Sequence, residues 1–429
     1  MQYLMPVTNY DFFFNRLKFR FWTPTVVMLS TLGFSALSMA NGFGGSIEIE
    51  GRYFFDEGQY AGQDDQQQWS VAIQPEYSWQ AENTDYGQWQ THAELFYRQD
   101  SLDDERSHGD VRQAYVRWSQ ENWLILAGAN RVFWGVAESR HLVDIVNQSD
   151  ALEDLDNETK LGQAMVQLTY LSHWGEFSAF ILPYFRERQF AGEHGRLRPG
   201  LPINDDQALY INGASQDSVD TALRYSHYLG DWDIGLSYFS GNSREPGFIV
   251  TNTDIGSVAS PQLLPVYSDI QQWGTDLQYT TDAWLWKFEA AYVTGQSHTE
   301  GQEDNYLAAV GGFEYTLYQV FDRDADLGFL AEYVYDDRSE LSPATAFNDD
   351  WFFAMRLGMN DSQDTALLAG VYYDADTGEQ FYNVEGETRI GDSITAELRL
   401  RVLEGSDPNE FFQPLEKDSY IQLKLAYHF

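Results

Sequence analysis

The chain has 429 residues and a formal net charge of −40, with 66 acidic residues against 26 lysines and arginines. This balance argues against a nucleic-acid partner, because phosphates need a basic surface. Cysteine is absent, which excludes disulfide bonds and thiolate metal sites and suits an exported protein.

The amino terminus has the pattern of a secretory signal. Arg16, Lys18 and Arg20 precede an uncharged stretch, residues 21–37, and Ser38-Met39-Ala40 is an A-x-A-like cleavage site. A transmembrane helix is disfavoured because proline and glycine interrupt a run that is short for a span. We therefore expect a signal over 1–40 and a single domain over 41–429.

Segments of about ten residues with period-two alternation of apolar and polar side chains recur along the rest of the chain. Such alternation predicts strands with one apolar face. Eighteen segments fit: 45–55, 69–80, 87–98, 110–119, 122–130, 161–171, 174–184, 219–229, 231–240, 268–280, 283–295, 305–318, 325–336, 349–360, 364–374, 379–390, 393–404 and 418–429.

The connections between these segments alternate between long and short along most of the chain. Residues 131–160 and 185–218 are long connections, whereas Gln120-Glu121 and Thr281-Asp282 are tight turns. Membrane barrels have this asymmetry, and alternation hides their lipid-facing residues from hydropathy averages. The pattern predicts an all-β transmembrane antiparallel β-barrel of about 16–18 strands, with long external loops and short periplasmic turns.

The last segment carries the most specific signal. Ile421, Leu423, Leu425, Tyr427 and the terminal Phe429 occupy alternate positions. The segment resembles the closing strand of Gram-negative outer-membrane β-barrels, and the chain as a whole is similar to the porin-like members. The resemblance implies residence in the outer membrane among lipid and lipopolysaccharide, recognition of the terminal Phe by the barrel-assembly machinery, and a homotrimer.

Charged residues within the strands should point into the lumen, since an Arg or Lys at mid-depth on the lipid face costs about 2–4 kcal/mol. The basic ones concentrate on the last strands and on the first, which closes beside the last. An alternative is that they only neutralise acids on neighbouring strands. The predicted basic sector of the pore comprises Arg52, Arg356, Arg389, Arg399, Arg401 and Lys424.

Residues 131–160 contain more apolar side chains than an exposed loop needs. In position and length this loop resembles the one that folds into the lumen of general porins and narrows the channel. Asp150 and Glu153 are spaced as a capping box for a short helix. The alternative is an external loop packed on its neighbours. The predicted constriction residues are Arg131, Phe133, Trp134, Glu138, Asp144, Asp150, Glu153 and Asp154.

Arginines are concentrated in residues 185–218, where pairing with acidic loops is favoured over binding of a free anion. Motifs of nucleotide-binding sites, serine hydrolases and zinc proteases are missing from the sequence. Asp322, Asp324 and Asp326 imitate the start of a calcium loop, but the later positions do not fit. We expect no enzyme activity, no metal and no cofactor.

The resulting hypothesis is a porin-like channel for passive diffusion of small hydrophilic or anionic solutes. The alternative is an outer-membrane transporter of hydrophobic compounds whose lumen is occluded by the loop. A barrel enzyme is a third hypothesis, disfavoured because no nucleophile is paired with a base in the sequence.

Overall fold

The computed structural model describes residues 42–429 apart from 64, 82–85, 256–257, 298–302, 340–341, 376 and 405–411. The predicted signal, residues 1–40, lies outside the described residues. The described residues form twenty strands and two short 3-10 helices, Asp205–Gln207 and Gln413–Leu415. Within the described part, no helix is long and apolar enough to cross a membrane.

Eighteen of the twenty strands form the barrel wall, and β8 and β11 belong to loops. The strands are β1 (Gly42–Phe54), β2 (Gln67–Gln80), β3 (Gln88–Asp100), β4 (Gly109–Gln120), β5 (Trp123–Asn130), β6 (Gln163–Ser172), β7 (Gly175–Leu182), β8 (Leu209–Ile211), β9 (Asp220–Leu229), β10 (Trp232–Asn242), β11 (Gly247–Ile255), β12 (Val258–Thr281), β13 (Trp284–Ser297), β14 (Glu303–Val320), β15 (Ala325–Asp336), β16 (Asp349–Gly358), β17 (Ala366–Asp374), β18 (Gln380–Ile390), β19 (Ile394–Glu404) and β20 (Tyr420–His428).

Each wall strand is antiparallel to its neighbours, and the sheet closes on itself. β1 pairs with β20 from Ser46 opposite His428 to Phe54 opposite Tyr420. β7 pairs with β9, and β10 pairs with β12, so the two loop strands do not interrupt the wall. Closure leaves no free sheet edge, which a strand structure in lipid requires. The predicted antiparallel barrel of about 16–18 strands is confirmed, and its wall has eighteen strands.

One predicted strand had the wrong bounds. Residues 268–280 are only part of β12, which begins at Val258 and pairs over residues 258–266 with β11. The predicted loop 241–267 therefore contains a hairpin. The hairpin forms because two apolar segments of this loop, around Ile249 and Leu264, pair with each other beyond the end of the wall.

The two faces of the wall are those expected from the alternation. On β20, Leu423 and Leu425 point outward and are 51% and 42% exposed, whereas Gln422 is 2% exposed and points inward. Charged side chains are buried inside the barrel, including Arg98 and Lys287. The outer surface is therefore apolar and the lumen is polar.

Tryptophans surround the end of the barrel where the short turns lie. Trp123, Trp174, Trp232 and Trp284 are exposed and stand at or beside the first residue of a strand that follows a tight turn. Amphipathic rings prefer the interface between lipid and water. These rings therefore mark the periplasmic border of the apolar belt.

Two strands are apolar on both faces, and their inward residues pack against loops inside the lumen. Leu126 of β5 belongs to one buried cluster with loop residues 134–146. Leu368 and Tyr372 of β17 belong to a second cluster with Phe412. Residues inside the lumen therefore cover the inward faces of these two strands.

Candidate functional site

Loop 131–160 runs from β5 to β6 inside the barrel. Its base is closed by Asn147, which donates hydrogen bonds of 2.9 Å to the carbonyl oxygens of Asn130 and Leu161. The two ends of the loop are thus held together, so that its middle projects as a compact unit across the lumen.

The first wall contact is a buried carboxylate on β13. Glu289, which is fully buried, accepts hydrogen bonds from the backbone N–H groups of Val136 at 2.6 Å, Ala137 at 2.8 Å and Leu142 at 2.8 Å. Gly135 lies beside it with φ +130°, and a Cβ there would come within 2.7 Å of a Glu289 oxygen. Only glycine allows the backbone this close approach.

A second wall carboxylate, Glu332 on β15, binds the next turn of the loop. It accepts the N–H of Glu138 at 3.0 Å, and the N–H and hydroxyl of Ser139 at 2.8 and 2.6 Å. Tyr372 on β17 donates its hydroxyl to the Ser139 carbonyl at 3.0 Å. Backbone donors of the loop therefore satisfy wall acids that would otherwise be buried without partners.

The side chain of Glu138 reaches two wall cations. Its carboxylate lies 2.7 Å from Arg356 on β16 and 3.7 Å from Lys287 on β13. Burial opposes ionisation, but the charges of Arg356 and Lys287 hold the pKa of Glu138 below its ordinary value. Arg356, predicted in the basic sector, thus binds Glu138 rather than the loop acids at residues 150–158.

Apolar side chains complete this part of the contact. We call residues 132–146 the apolar half of the loop. Trp134 packs edge-on against Phe180 with ring centroids 5.7 Å apart. One buried cluster unites the loop residues Trp134, Ala137, Leu142, Val143, Ile145 and Val146 with the wall residues Leu126, Met165, Phe180, Leu182, Ala222, Phe239, Ile270, Ala291, Val293, Tyr306, Ala308, Val310 and Val334.

Residues 150–158 form the ionic half of the loop. Asp150 lies 2.7 Å from Arg112 on β4 and 3.1 Å from His108. Although burial opposes ionisation, the hydrogen bond from His108 and the charge of Arg112 hold the pKa of Asp150 well below its usual range. The carboxylate is therefore ionised throughout the neutral range.

The ionic half then reaches the basic sector itself. Glu153 binds Arg98 on β3 at 2.7 Å, and its carbonyl accepts a hydrogen bond of 2.8 Å from Arg52 on β1. Asp154 binds Arg399 and lies 3.3 Å from Arg401, both on β19. Loop acids and wall arginines are in direct contact, so that no open gap separates them.

Two side chains of the loop have pKa values that are raised into the neutral to alkaline range. Burial alone would lower the pKa of His141, but Glu158, 2.6 Å away, raises it to about 9. Burial and the neighbouring carboxylate of Asp154 raise the pKa of Asp156 to about 8, although Arg401 lies 3.1 Å away. His141 is thus charged and Asp156 protonated near neutral pH.

The remaining predicted site residues lie apart from these contacts. Arg389 is at the periplasmic end of β18, 3.3 Å from Asp364 in a turn. Lys424 binds Glu397 at 2.8 Å on the neighbouring strand. Three other loop residues make local or wall contacts: Asp144 with Lys160 at 3.2 Å, Arg131 with Glu94 at 2.6 Å, and Phe133 with the ring of His141 at 4.6 Å.

The prediction of a short helix after Asp150 is wrong. Residues 151–153 form a turn in which the N–H of Glu153 donates to the Asp150 carbonyl at 3.2 Å. The side chain of Asp150 binds Arg112 and His108, so it does not cap a helix. Both residues of the predicted capping box bind arginines of the wall instead.

His108, Asp150 and Glu153 hold donor atoms within 4.8 Å of one another, the spacing of a metal site. Each carboxylate already binds a guanidinium at 2.7 Å, from Arg112 or Arg98. Their negative charge is therefore neutralised by arginine, and the donor set does not fit a cation.

Two of the four arginines of residues 185–218 form ion pairs with acids in the described structure. Arg196 lies 2.5 Å from Asp418, and Arg186 lies 2.5 Å from Asp110. Arg198 stacks over the ring of Tyr60 at 5.1 Å. Pairing with acids therefore describes Arg186 and Arg196, whereas Arg188 donates to Gln148 and Arg198 to backbone carbonyls.

The most important functional residues that the sequence analysis did not assign to the site are the wall acids Glu289 and Glu332. Their inward position follows from the alternation, but their binding of loop N–H groups does not. Arg112 was missed for a different reason. A register shift between Glu94 and Leu95 places an extra residue in β4, so that simple alternation assigns Arg112 to the wrong face.

A closed wall of eighteen antiparallel strands with an apolar outer belt and a polar lumen defines the class. The protein is an eighteen-stranded transmembrane β-barrel.

Comparisons with known proteins are limited to the fold. No protein-family model and no curated sequence matches the chain. Similar solved structures include Salmonella typhi OmpF in complex with daunomycin, at 8% identity over 90% of this chain and 97% of that chain, with a TM-score of 0.46. OmpT, an outer membrane protein of Vibrio cholerae in trimer form, shares 10% identity over 91% and 99%, with a TM-score of 0.44. A mutant porin of Rhodobacter blastica shares 11% identity over 91% and 100%, with a TM-score of 0.40.

Proposed function

We propose that this protein is a non-enzymatic outer-membrane channel for downhill diffusion of small hydrophilic or anionic solutes, with loop 131–160 as its constriction. The observation that supports it most is the contact of Glu153 and Asp154 with the wall arginines. The loop supplies carboxylates to the same guanidinium groups that an anionic solute would use. A solute carboxylate or phosphate can therefore compete with the loop for the arginines.

In this mechanism the solute exchanges partners with the loop. Arg399, whose side chain is 19% exposed, is the more accessible of the two β19 arginines, and Arg401 is almost fully buried. An anion first meets Arg399, displaces Asp154 and is then passed along the basic sector. Binding at each step must be weak enough for release, and replacement of one carboxylate by another changes the ion-pair energy little.

Conductance in planar bilayers tests the proposal. We expect small steps in potassium chloride and a reversal potential that favours anions, and the replacement of Arg399 by Gln should reduce that preference. Cation preference in the wild-type protein would reject the anionic route.

A transporter of hydrophobic compounds is the second candidate, and one observation favours it. Phe347 and Tyr372 stack inside the lumen with ring centroids 4.1 Å apart, beside Phe412 and Phe381. This largely buried aromatic cluster lies next to the loop. Uptake of a fluorescent apolar probe into proteoliposomes, together with negligible ion current, would support this candidate over diffusion of polar solutes.

We also propose that the barrel binds the assembly machinery through its last residue and forms a homotrimer. Phe429 exchanges backbone hydrogen bonds of 3.0 and 3.2 Å with Gly45, and its exposed ring packs against Phe43. Native mass spectrometry of the purified protein tests the trimer.

A further inference from the structure

A groove with a volume of about 620 Å³ lies on the outer wall over β2, β3 and β4. Ile73, Leu95, Tyr97 and Val111 line it, and all four point outward with 41–49% of their surface exposed. Gly109, the first residue of β4, also lines the groove. Since β4 follows a long connection, the groove lies at the external border of the apolar belt.

The groove exists because the wall is irregular at this place. Pro75 has no N–H, and the pairing of β2 with β3 passes from Ile73 opposite Tyr97 to Glu76 opposite Glu94. On the other side, the pairing of β3 with β4 shifts register after Glu94. The groove lies where the proline of β2 and the register shift between β3 and β4 are adjacent.

The gap beyond β4 is closed by loop residues. β5 pairs with β4 only from Ala114 onward, so residues 109–113 lack a strand partner from β5. Gly162 fills this place and donates its N–H to Asp110 at 3.0 Å. A Cβ at Gly162 would lie 1.9 Å from the Val111 carbonyl oxygen, so a side chain is excluded there.

A cation forms one wall of the groove. The Nη1 atom of Arg186 donates to Asp110 at 2.5 Å and to the Gly162 carbonyl at 2.8 Å. Across the described part of the chain, its Nε and Nη2 atoms have no hydrogen-bond partner, and the side chain is 27% exposed. One edge of the guanidinium thus fastens the wall, and the other edge is available for a ligand.

We propose that this groove binds an anionic, phosphate-bearing lipid of the external leaflet. An acyl chain lies over Ile73, Leu95 and Val111, and the phosphate accepts hydrogen bonds from Nε and Nη2 of Arg186. A planar guanidinium matches the geometry of phosphate. The lipid satisfies donors that face a membrane rather than water, and the site is independent of the channel function proposed above.

The test is native mass spectrometry of the full barrel released from nanodiscs of phosphatidylcholine that contain diphosphoryl lipid A, phosphatidylglycerol or free inorganic phosphate. We expect one tightly retained lipid per chain with either anionic lipid and none with inorganic phosphate. Arg186→Gln should weaken retention about tenfold, the loss of one charge-assisted hydrogen-bonding group. Val111→Trp, which fills the groove and keeps the charge, should weaken it to a similar extent.

Two matched controls separate the site from general solvation by lipid. Met355→Trp changes an outward residue on β16, and Arg323→Gln removes an exposed arginine from a periplasmic turn. Both should retain the lipid. If Arg186→Gln and Val111→Trp both retain the lipid as well as the wild-type protein, the bound lipid is annular only. A chain dimer in place of the lipid would assign the face to a second copy. Either result overturns the proposal. Since Val111→Trp leaves the Arg186–Asp110 pair intact, it remains informative even if Arg186→Gln does not fold.

Discussion

The two halves of loop 131–160 are held inside the same barrel by different interactions. The apolar half is held by a buried hydrophobic cluster and by N–H groups bound to Glu289 and Glu332. The ionic half is held by carboxylates on Arg98, Arg112, Arg399 and Arg401. Salt and competing anions weaken ion pairs near water much more than apolar packing. The apolar half therefore fixes the loop, and the ionic half can respond to solutes.

Removal of both halves should have the largest effect. Replacement of residues 136–156 by a short Gly-Ser linker removes the contacts of these residues with the wall. It also removes Asn147, which closes the base of the loop. We expect a several-fold rise in single-channel conductance in planar bilayers, because the lumen of an eighteen-stranded barrel is wide enough for water when no loop fills it. Unchanged conductance would show that the loop is not the constriction.

The ionic half alone should control selectivity. In the double variant Arg399→Gln and Arg401→Gln, Asp154 loses both charged partners, and an unpaired buried carboxylate costs about 3–5 kcal/mol. We expect higher conductance and a reversal potential shifted toward cations. Addition of Asp154→Asn should reverse part of the conductance rise, and Arg323→Gln on a periplasmic turn is the control for charge alone. A double variant with wild-type reversal potential would contradict the division into two halves.

The apolar half should control stability more than selectivity. Trp134→Ala removes a buried ring, which costs about 3–5 kcal/mol in protein cores. We expect a lower thermal transition of the folded barrel and a noisier current with unchanged ion preference. Trp174→Ala, at an exposed position on the lipid face, is the matched control. A change of ion preference in Trp134→Ala would remove the distinction between the halves.

Alkaline pH should weaken the seating of the loop to a smaller extent. The folded pKa of His141, about 9, lies above its ordinary 6.5, so its contribution is complete below about 6.5 and is lost as the pH rises through 9. The pKa of Asp156, raised from 3.8 to about 8, acts in the same direction. The conductance of the wild-type protein should rise from neutral pH to above pH 9, and the conductance of Asp156→Asn should rise less over the same range. A flat profile in both proteins would contradict the assignment.

The fold was predictable from the sequence because lipid imposes a strict rule on every strand. Leu423 and Leu425 face outward at alternate positions, and Phe429 ends the closing strand, as the pattern predicts. For the contacts between loop and wall, only the types of residue involved could be predicted from the sequence. The sequence places acids on the loop and arginines on the last strands, but the pairing of Asp154 with Arg399 depends on how the loop crosses the lumen.

Local irregularities were beyond the sequence for a related reason. A strand shifted by one residue presents the opposite face, so the extra residue in β4 hides the inward position of Arg112. Likewise, Glu289 appears in the sequence as an ordinary lumen acid. Its binding of loop N–H groups requires the left-handed backbone of Gly135, which only the three-dimensional structure reveals.

A disulfide clamp tests most directly whether loop 131–160 lies in the lumen. A Cβ at Gly274, on β12, would lie 3.3 Å from the Cβ of Val143, close to the spacing of a disulfide, and the chain has no other cysteine. In membranes carrying Val143→Cys with Gly274→Cys, a mild oxidant should join the two, so that neither accepts a maleimide-linked polyethylene glycol until a reductant is added. The Ser237 hydroxyl must rotate away, and the single-cysteine variants report the reactivity of each thiol. Two thiols that remain fully reactive after oxidation would place the loop outside the barrel and contradict the account.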